Sequence, residues 1–161
     1  MARTVNYFDK ARSFAAALMI AAGAAAILGA VLDWVTITPP PVVPESEVAK
    51  TKPYSGLDAG DGWWVIALAI VLIAAAVALA TAKNRGFARL AFGVAIVLGA
   101  IAIADFRAVG SLESGLSQEM DVVGDPDPAL GILLVACAAI LGFVGAVTAL
   151  AASPRPADTE P

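Results

Sequence analysis

The stretch from Trp63 to Ala82 contains 20 consecutive residues and no charged side chain. A helix of that length covers about 30 Å, the thickness of the hydrocarbon layer of a bilayer. Acidic residues and glycines precede it, and Trp63 and Trp64 stand at its start, where tryptophan is enriched at membrane interfaces. The stretch therefore predicts a transmembrane helix that begins at an aromatic interface anchor.

Three further apolar stretches predict the same kind of span. They cover residues 13–34, 87–105 and 129–152, and Trp34 is predicted to anchor the first span at the interface as Trp63 and Trp64 do the second. The predicted fold class is an all-α membrane protein, a four-transmembrane-helix bundle with both termini cytoplasmic. It forms one domain over residues 1–152, with outer loops at 35–62 and 106–128 and a disordered tail at 153–161.

The first span has a second interpretation, a cleaved signal peptide, because Ala-rich stretches offer cleavage sites. Its uncharged part, residues 13–32, has 20 residues. The apolar region of a signal peptide has roughly 7–15 residues. The length favours a helix that is retained.

Composition agrees with lipid covering much of the surface and excludes several kinds of chemistry. Charged residues make up 15% of the chain, against roughly 25% in soluble domains. The chain has one cysteine, Cys137, and no histidine. An internal disulfide, a Cys/His zinc site and a histidine-dependent catalytic triad are therefore excluded. A net charge of −4 without a basic patch argues against nucleic-acid binding.

The distribution of lysine and arginine predicts the orientation of the spans. Seven of the ten lie at one side and three, Lys50, Lys52 and Arg107, at the other. The seven are Arg3, Lys10, Arg12, Lys83, Arg85, Arg89 and Arg155. Cytoplasmic loops carry the excess of positive charge. We therefore expect the protein to lie in the plasma membrane, with the termini and the turn at Lys83–Arg85 on the cytoplasmic side.

The segment before the second span has the composition of a turn. It contains the loop and turn residues Gly56, Asp58, Gly60, Asp61 and Gly62. Asp61 is a candidate N-cap for the following helix. We expect this segment to dock against the second outer loop, and Gly60 and Gly62 to be needed there for positive φ angles.

Small residues in the spans predict close helix packing. The candidate packing residues are Gly23, Gly29, Gly93, Gly99, Gly142 and Gly145. Packing within one bundle is the simpler interpretation, and association with another copy or with a partner's helix is the alternative. Cys137 lies in the middle of the fourth span, where packing is the expected role.

No Asp, Glu, Lys or Arg lies in the middle of a span, which argues against a pump or an ion-coupled transporter. The acidic segment Asp121–Asp127 lacks the order of ligands of a calcium loop, so a solvated loop is expected and no metal or cofactor is predicted. A weak repeat, Leu28–Ala30 before Asp33 and Leu98–Ala100 before Asp105, fits either a duplication or a shared pattern at span ends.

Several of these features together resemble a known group of proteins. They are the DWV of Asp33–Val35, the GLDAGDGWW of Gly56–Trp64, the KNRGFAR of Lys83–Arg89, and Asp105 at the end of the third span. This pattern, from Ala15 to about Arg107, resembles small four-span membrane proteins that are common in high-GC actinobacteria. Most of these are known only as membrane proteins of unknown function, so the resemblance implies a topology and no catalytic residue.

The function expected from the sequence is that of a non-catalytic membrane protein, an accessory, scaffold or interaction subunit of the cell envelope. The alternative is a subunit of an oligomeric channel or transporter. The expected partners are the lipid bilayer and, beyond it, other membrane proteins or further copies of this chain.

Overall fold

The computed structural model describes residues 2–38, 54–59, 61–82, 84–115 and 125–152. Its helices are α1 (Ala2–Val31), α2 (Gly56–Ala59), α3 (Gly62–Ala82), α4 (Arg85–Gly115) and α5 (Leu130–Ala151). Its strands are β1 (Asp33–Thr38), β2 (Tyr54–Ser55) and β3 (Asp125–Pro128).

The four long helices form a bundle, which confirms the predicted all-α four-helix fold. Each packs mainly against two neighbours, and the order around the bundle is α1, α3, α4 and α5. Chain direction alternates along this order, so neighbouring helices run antiparallel. Each of the four contains a segment of 21 to 25 residues that is long and apolar enough to cross a membrane. The α1 helix makes its most extensive contacts with α5 and is an integral part of the bundle.

Alanine supplies most of the side chains in the bundle core. The largest fully buried side chains belong to Met19, Val65, Leu72, Leu79, Leu98, Ile132 and Val135. Between them lie fully buried alanines such as Ala22, Ala69 and Ala138. Small side chains let helix backbones approach closely, so packing across the core depends on dispersion contacts rather than on polar pairs.

Four of the candidate packing glycines lie where two helices meet. A Cβ atom on Gly23 would lie 3.0 Å from the carbonyl oxygen of Ala69 in α3. One on Gly29 would lie 2.8 Å from the carbonyl oxygen of Gly131 in α5. One on Gly145 would lie 2.9 Å from Cγ of Met19, and one on Gly142 would lie 3.2 Å from a methyl group of Leu72.

The other two candidates differ from these four. A Cβ atom on Gly99 would make an ordinary contact, 3.7 Å from Cβ of Ala139. Gly93 is exposed, and a Cβ atom there would meet nothing within 4 Å among the described residues. The prediction that Gly93 packs within the bundle is therefore wrong, because its side of α4 faces away from the other described helices. Its alternative role, in association with another copy or a partner's helix, stays a prediction.

A small three-stranded antiparallel sheet covers one end of the bundle, which we call the sheet end. Its strand order is β2-β1-β3. Val35 lies opposite Pro128 and Thr36 opposite Asp127. The β-branched run Val35–Thr38 favours an extended strand, and proline is tolerated in β3 because β3 is an edge strand. The sheet was not predicted, since its three strands were assigned to loops, apart from Asp33 and Trp34, which were assigned to the first span.

Two helix ends differ from their predicted positions. The α1 helix ends at Val31, and Asp33 and Trp34 belong to β1 instead of closing the helix. The α4 helix continues to Gly115, whereas the third span was predicted to end at residue 105. Part of the predicted second outer loop is therefore helical.

Candidate functional site

Trp34 joins the sheet to the helix bundle. Its side chain is only 3% exposed, and its indole N–H donates a hydrogen bond of 2.8 Å to the carbonyl oxygen of Gly29. The last carbonyl groups of a helix have no partner within the helix, so this bond satisfies one of them. The prediction that Trp34 is an interface anchor is wrong, because its side chain lies in the protein core.

Two further glycines surround the Trp34 indole. A Cβ atom on Gly56 would overlap the ring. One on Gly131 would lie 2.7 Å from Cδ1 of the indole and 2.7 Å from the carbonyl oxygen of Asp33. We call Gly29, Gly56 and Gly131 the tryptophan cradle. Each of its glycines comes from a different element, α1, α2 or α5, so the indole contacts three parts of the chain at once.

The first and second outer segments meet at the same place. The backbone N–H of Ala129, the N-cap residue of α5, donates a hydrogen bond of 2.8 Å to the carbonyl oxygen of Trp34. Together with the pairing of β1 and β3, this bond ties the entrance of α5 to the exit of α1. The two predicted outer loops therefore meet, but through β1 and β3. The expectation that the segment Gly56–Gly62 itself docks against the second outer loop is wrong, because the adjoining strand β2 lies on the far side of β1.

Ser55 and Asp58 fix the one-turn helix α2. The hydroxyl of Ser55 donates to the carboxylate of Asp58 at 2.8 Å, and the backbone N–H groups of both residues bond to the other's side chain. This reciprocal arrangement is a capping box. It holds Gly56 against Trp34.

Gly62 is needed for close approach rather than for a positive φ. A Cβ atom on Gly62 would lie 2.7 Å from the carbonyl oxygen of Gly56, and the backbone of Gly62 lies outside the left-handed region. The expectation of a positive φ at Gly62 is therefore wrong. Gly60 lies outside the described residues.

Asp61 stands at the start of α3, as its predicted capping role requires. Its carbonyl oxygen accepts the N–H groups of Trp64 at 3.0 Å and Val65 at 3.1 Å. Its carboxyl group lies near the carboxyl group of Asp105 in α4. The Oδ2 atom of Asp105 is buried without a hydrogen-bond partner among the described residues.

Trp63 and Trp64 have the opposite placement to Trp34. They are 65% and 67% exposed and lie in the first turn of α3, next to the sheet end. Their role as interface anchors stays a prediction. Cys137 is exposed on the outer surface of α5, so its predicted role in packing is wrong.

The opposite end of the bundle, where the chain passes from α3 to α4, is the turn end. Arg12 is 7% exposed there, and its guanidinium group lies 3.8 Å from the carboxylate of Asp9. The side chain of Asn84 accepts the N–H of Gly86 at 2.8 Å and caps the start of α4.

The described acidic residues at the sheet end do not form a metal centre with three or more Cys, His, Asp or Glu ligands. Asp33, Asp58, Asp61 and Asp127 are exposed around the sheet, and Asp121 lies outside the described residues. We call the surface formed by β1, β2, β3 and α2 the platform. It presents exposed aspartates at the sheet end of the bundle.

Sequence reasoning missed the two residues that complete this arrangement, Ser55 and Gly131. Ser55 carries a usable signal, because Ser-x-x-Asp before a helix is a capping pattern. Gly131 carries none, since one glycine among many in an apolar span does not reveal that it contacts an indole almost 100 residues earlier.

The fold and the four apolar helices define a multi-pass membrane protein with a helical bundle and a small sheet at one end. Comparison with protein-family models and with curated protein sequences found no match to this chain.

Proposed function

We propose that this chain is a non-catalytic scaffold or accessory subunit of the cell envelope, placed in the plasma membrane, whose platform contacts another membrane protein. The observation that carries the proposal is the pairing of β1 with β3, which joins two outer segments into one surface. A loop that only connected two helices would not need such a surface or a buried tryptophan beneath it.

The bundle interior supports a structural role over transport by a single chain. Among the described residues, Arg12 is the one buried side chain that is charged or polar, and it lies near the turn end. The other buried side chains of the described residues are apolar, and most of them belong to alanine and larger aliphatic residues. A continuous polar path through one bundle would require polar groups along its length.

The charge distribution supports the proposed orientation of the platform. By position in the sequence, seven of the ten basic residues belong to the predicted cytoplasmic turn or to the segments near the two termini. The positive-inside rule then places the turn end in the cytoplasm and the platform outside. The exposed aspartates of the platform favour a partner that presents basic side chains.

Site-specific photo-crosslinking in native membranes tests the proposal. A photoreactive residue at Asp127, which is exposed on β3, should cross-link to one discrete partner. The same residue at Val77, exposed on the lipid-facing side of α3, is the matched control and should not. The Asp127 cross-link should disappear when Trp34→Ala removes the support of the platform.

Liposome flux measured with purified protein tests the alternative. Impermeable liposomes are the expected result. Substrate-specific flux, together with the absence of a cross-link from Asp127, would overturn the scaffold proposal in favour of an oligomeric channel.

A further inference from the structure

An open apolar groove runs between α4 and α5 on the outer surface of the bundle. Its volume is about 690 Å³. Small residues form its floor, among them Ala95, Gly99 and Ala136, and larger side chains such as Ile103 and Phe143 form its walls. The described part of the chain does not fill the groove, because six of the residues that line it are Ala or Gly.

The groove ends near the middle of the bundle. Phe143 lies at its inner end and contacts Phe92, with 5.0 Å between the two ring centroids. This aromatic pair bridges α4 and α5. The lining of the groove therefore extends from Arg107, toward the sheet end, to this aromatic pair, and it includes no residue closer to the turn end than Ala95 and Phe143.

The length of the groove matches one leaflet of a bilayer. Along α4 it extends from Ala95 to Arg107. These 12 residue steps correspond to about 18 Å of helix, at 1.5 Å per residue. The hydrocarbon core of a bilayer is about 30 Å thick, so one leaflet contributes about 15 Å.

A positive charge stands at the end of the groove nearest the sheet end. Arg107 lines this end, and its side chain is exposed. Among the described residues, it is the only cation at the sheet end of the bundle. A guanidinium group binds phosphate oxygens in a bidentate manner, so it suits an anionic headgroup that sits at the membrane surface.

We infer that the groove between α4 and α5 is a binding site for an anionic phospholipid of the leaflet at the sheet end. One acyl chain lies along the floor of Ala95, Gly99 and Ala136, and the phosphate group contacts Arg107. This inference is independent of the proposed scaffold role.

The shape of the groove favours a lipid over a helix from a second copy. A transmembrane helix that packed here would follow α4 and α5 across the whole bilayer, about 30 Å. The Phe92–Phe143 pair interrupts the groove after about half of that distance. An acyl chain needs only the depth of one leaflet, and the headgroup of the lipid supplies a negative charge that pairs with Arg107.

Native mass spectrometry of the purified full-length protein tests the inference. Phosphatidylglycerol and phosphatidylcholine with the same acyl chains are added in parallel, and the bound fraction of each is measured. The wild type should retain phosphatidylglycerol in a one-to-one complex. Arg107→Gln should weaken phosphatidylglycerol binding roughly fivefold and leave phosphatidylcholine binding unchanged. Arg89→Gln, an exposed arginine of α4 near the turn end, is the matched control and should behave as the wild type.

Filling the groove tests its floor. Ala136→Leu should reduce the binding of both lipids, whereas Ala74→Leu, at an exposed position of α3 outside the groove, should not. If Ala136→Leu does not yield folded protein, Ala100→Leu fills the same groove from an exposed position of α4. Equal phosphatidylglycerol binding by the groove-filled variant and by Ala74→Leu would overturn the inference. So would a wild-type dimer that Ala136→Leu dissociates, since a second copy would then occupy the groove.

Discussion

The indole N–H of Trp34 donates a hydrogen bond across 2.8 Å to the carbonyl oxygen of Gly29, five residues earlier in the chain. The bond lets a strand residue cap the helix that precedes it. Because the ring is buried among Gly29, Gly56 and Gly131, the end of α1, the start of α5 and the platform share one contact point.

Trp34→Phe should destabilise the protein, because it removes the indole donor and leaves the carbonyl oxygen of Gly29 without it. An unsatisfied buried acceptor costs about 1–3 kcal/mol. Trp63→Phe is the matched control and should change the free energy of unfolding little, since Trp63 is 65% exposed. Unfolding in detergent micelles, followed by circular dichroism, measures both. Equal changes in the free energy of unfolding for the two substitutions would contradict the stabilising role of the Trp34 indole in the tryptophan cradle.

Gly131→Ala should be strongly unfavourable and Gly93→Ala should not. A Cβ atom at residue 131 would lie 2.7 Å from two backbone carbonyl oxygens, of Gly29 and Asp33, and overpacking of this kind costs about 1–3 kcal/mol. At the open position 93, alanine should instead stabilise the helix by about 0.5–1 kcal/mol. If the unfolding midpoint decreased by the same amount in both variants, the cradle would not restrict the side chain at residue 131.

Asp105→Asn should stabilise the bundle. The carboxyl group of Asp105 lies near that of Asp61, and its Oδ2 atom is buried without a described partner. An asparagine amide removes one of two neighbouring charges and donates to Asp61, with a gain on the order of 1 kcal/mol. Asp127→Asn, at an exposed position of β3, should leave the unfolding midpoint unchanged. A lower midpoint for Asp105→Asn than for Asp127→Asn would mean that the second carboxylate is stabilising.

The register of β1 and β3 predicts a specific disulfide. Thr36 and Asp127 lie directly opposite each other, so cysteines at both positions should oxidise to an intramolecular bridge. Val35 with Asp127 is the control pair, because successive strand residues point to opposite faces. Both pairs need the Cys137→Ala background, since Cys137 is exposed. The rate of bridging is read from migration on a non-reducing gel. Faster bridging of the control pair would mean that the true register differs by one residue.

The proposed orientation predicts the labelling of single cysteines on intact cells. In the Cys137→Ala background, a cysteine at Asp127 should react with an impermeant maleimide, because β3 is placed outside. A cysteine at the exposed Asn84, near the turn end, should react only after the cells are permeabilised. The reverse pattern would invert the topology.

The bundle could be predicted from the sequence, whereas the sheet could not. Uncharged apolar stretches such as Trp63–Ala82 encode a span locally, because their length and hydropathy alone select helix in a bilayer. The pairing of Val35 with Pro128 depends on two segments that the helices bring together. Nothing in either segment alone specifies that partner, although the β-branched residues of β1 favour an extended strand.

The prediction that tryptophans at the ends of apolar runs are interface anchors failed for Trp34, and the placement of its ring shows why. Tryptophan at the end of an apolar run is usually an interface anchor, and the exposed Trp63 and Trp64 suit that role. Trp34 follows the same pattern in sequence, but glycines from α2 and α5 leave room for its ring inside the protein. The deciding information lies in Gly56 and Gly131, which are distant in sequence.

Because β1 is synthesised long before β3, the pairing of the two strands can form only late in synthesis. Trp34 leaves the ribosome 97 residues before Gly131, an interval of roughly 5–20 s at ordinary rates of translation. During that interval β1 has no partner on the side that β3 will occupy, and the indole lacks the α5 part of its cover. The last helix to be made therefore completes a structure that begins at the end of the first, so a nascent chain that stalls before α5 exposes an unpaired strand edge to whatever protein meets it.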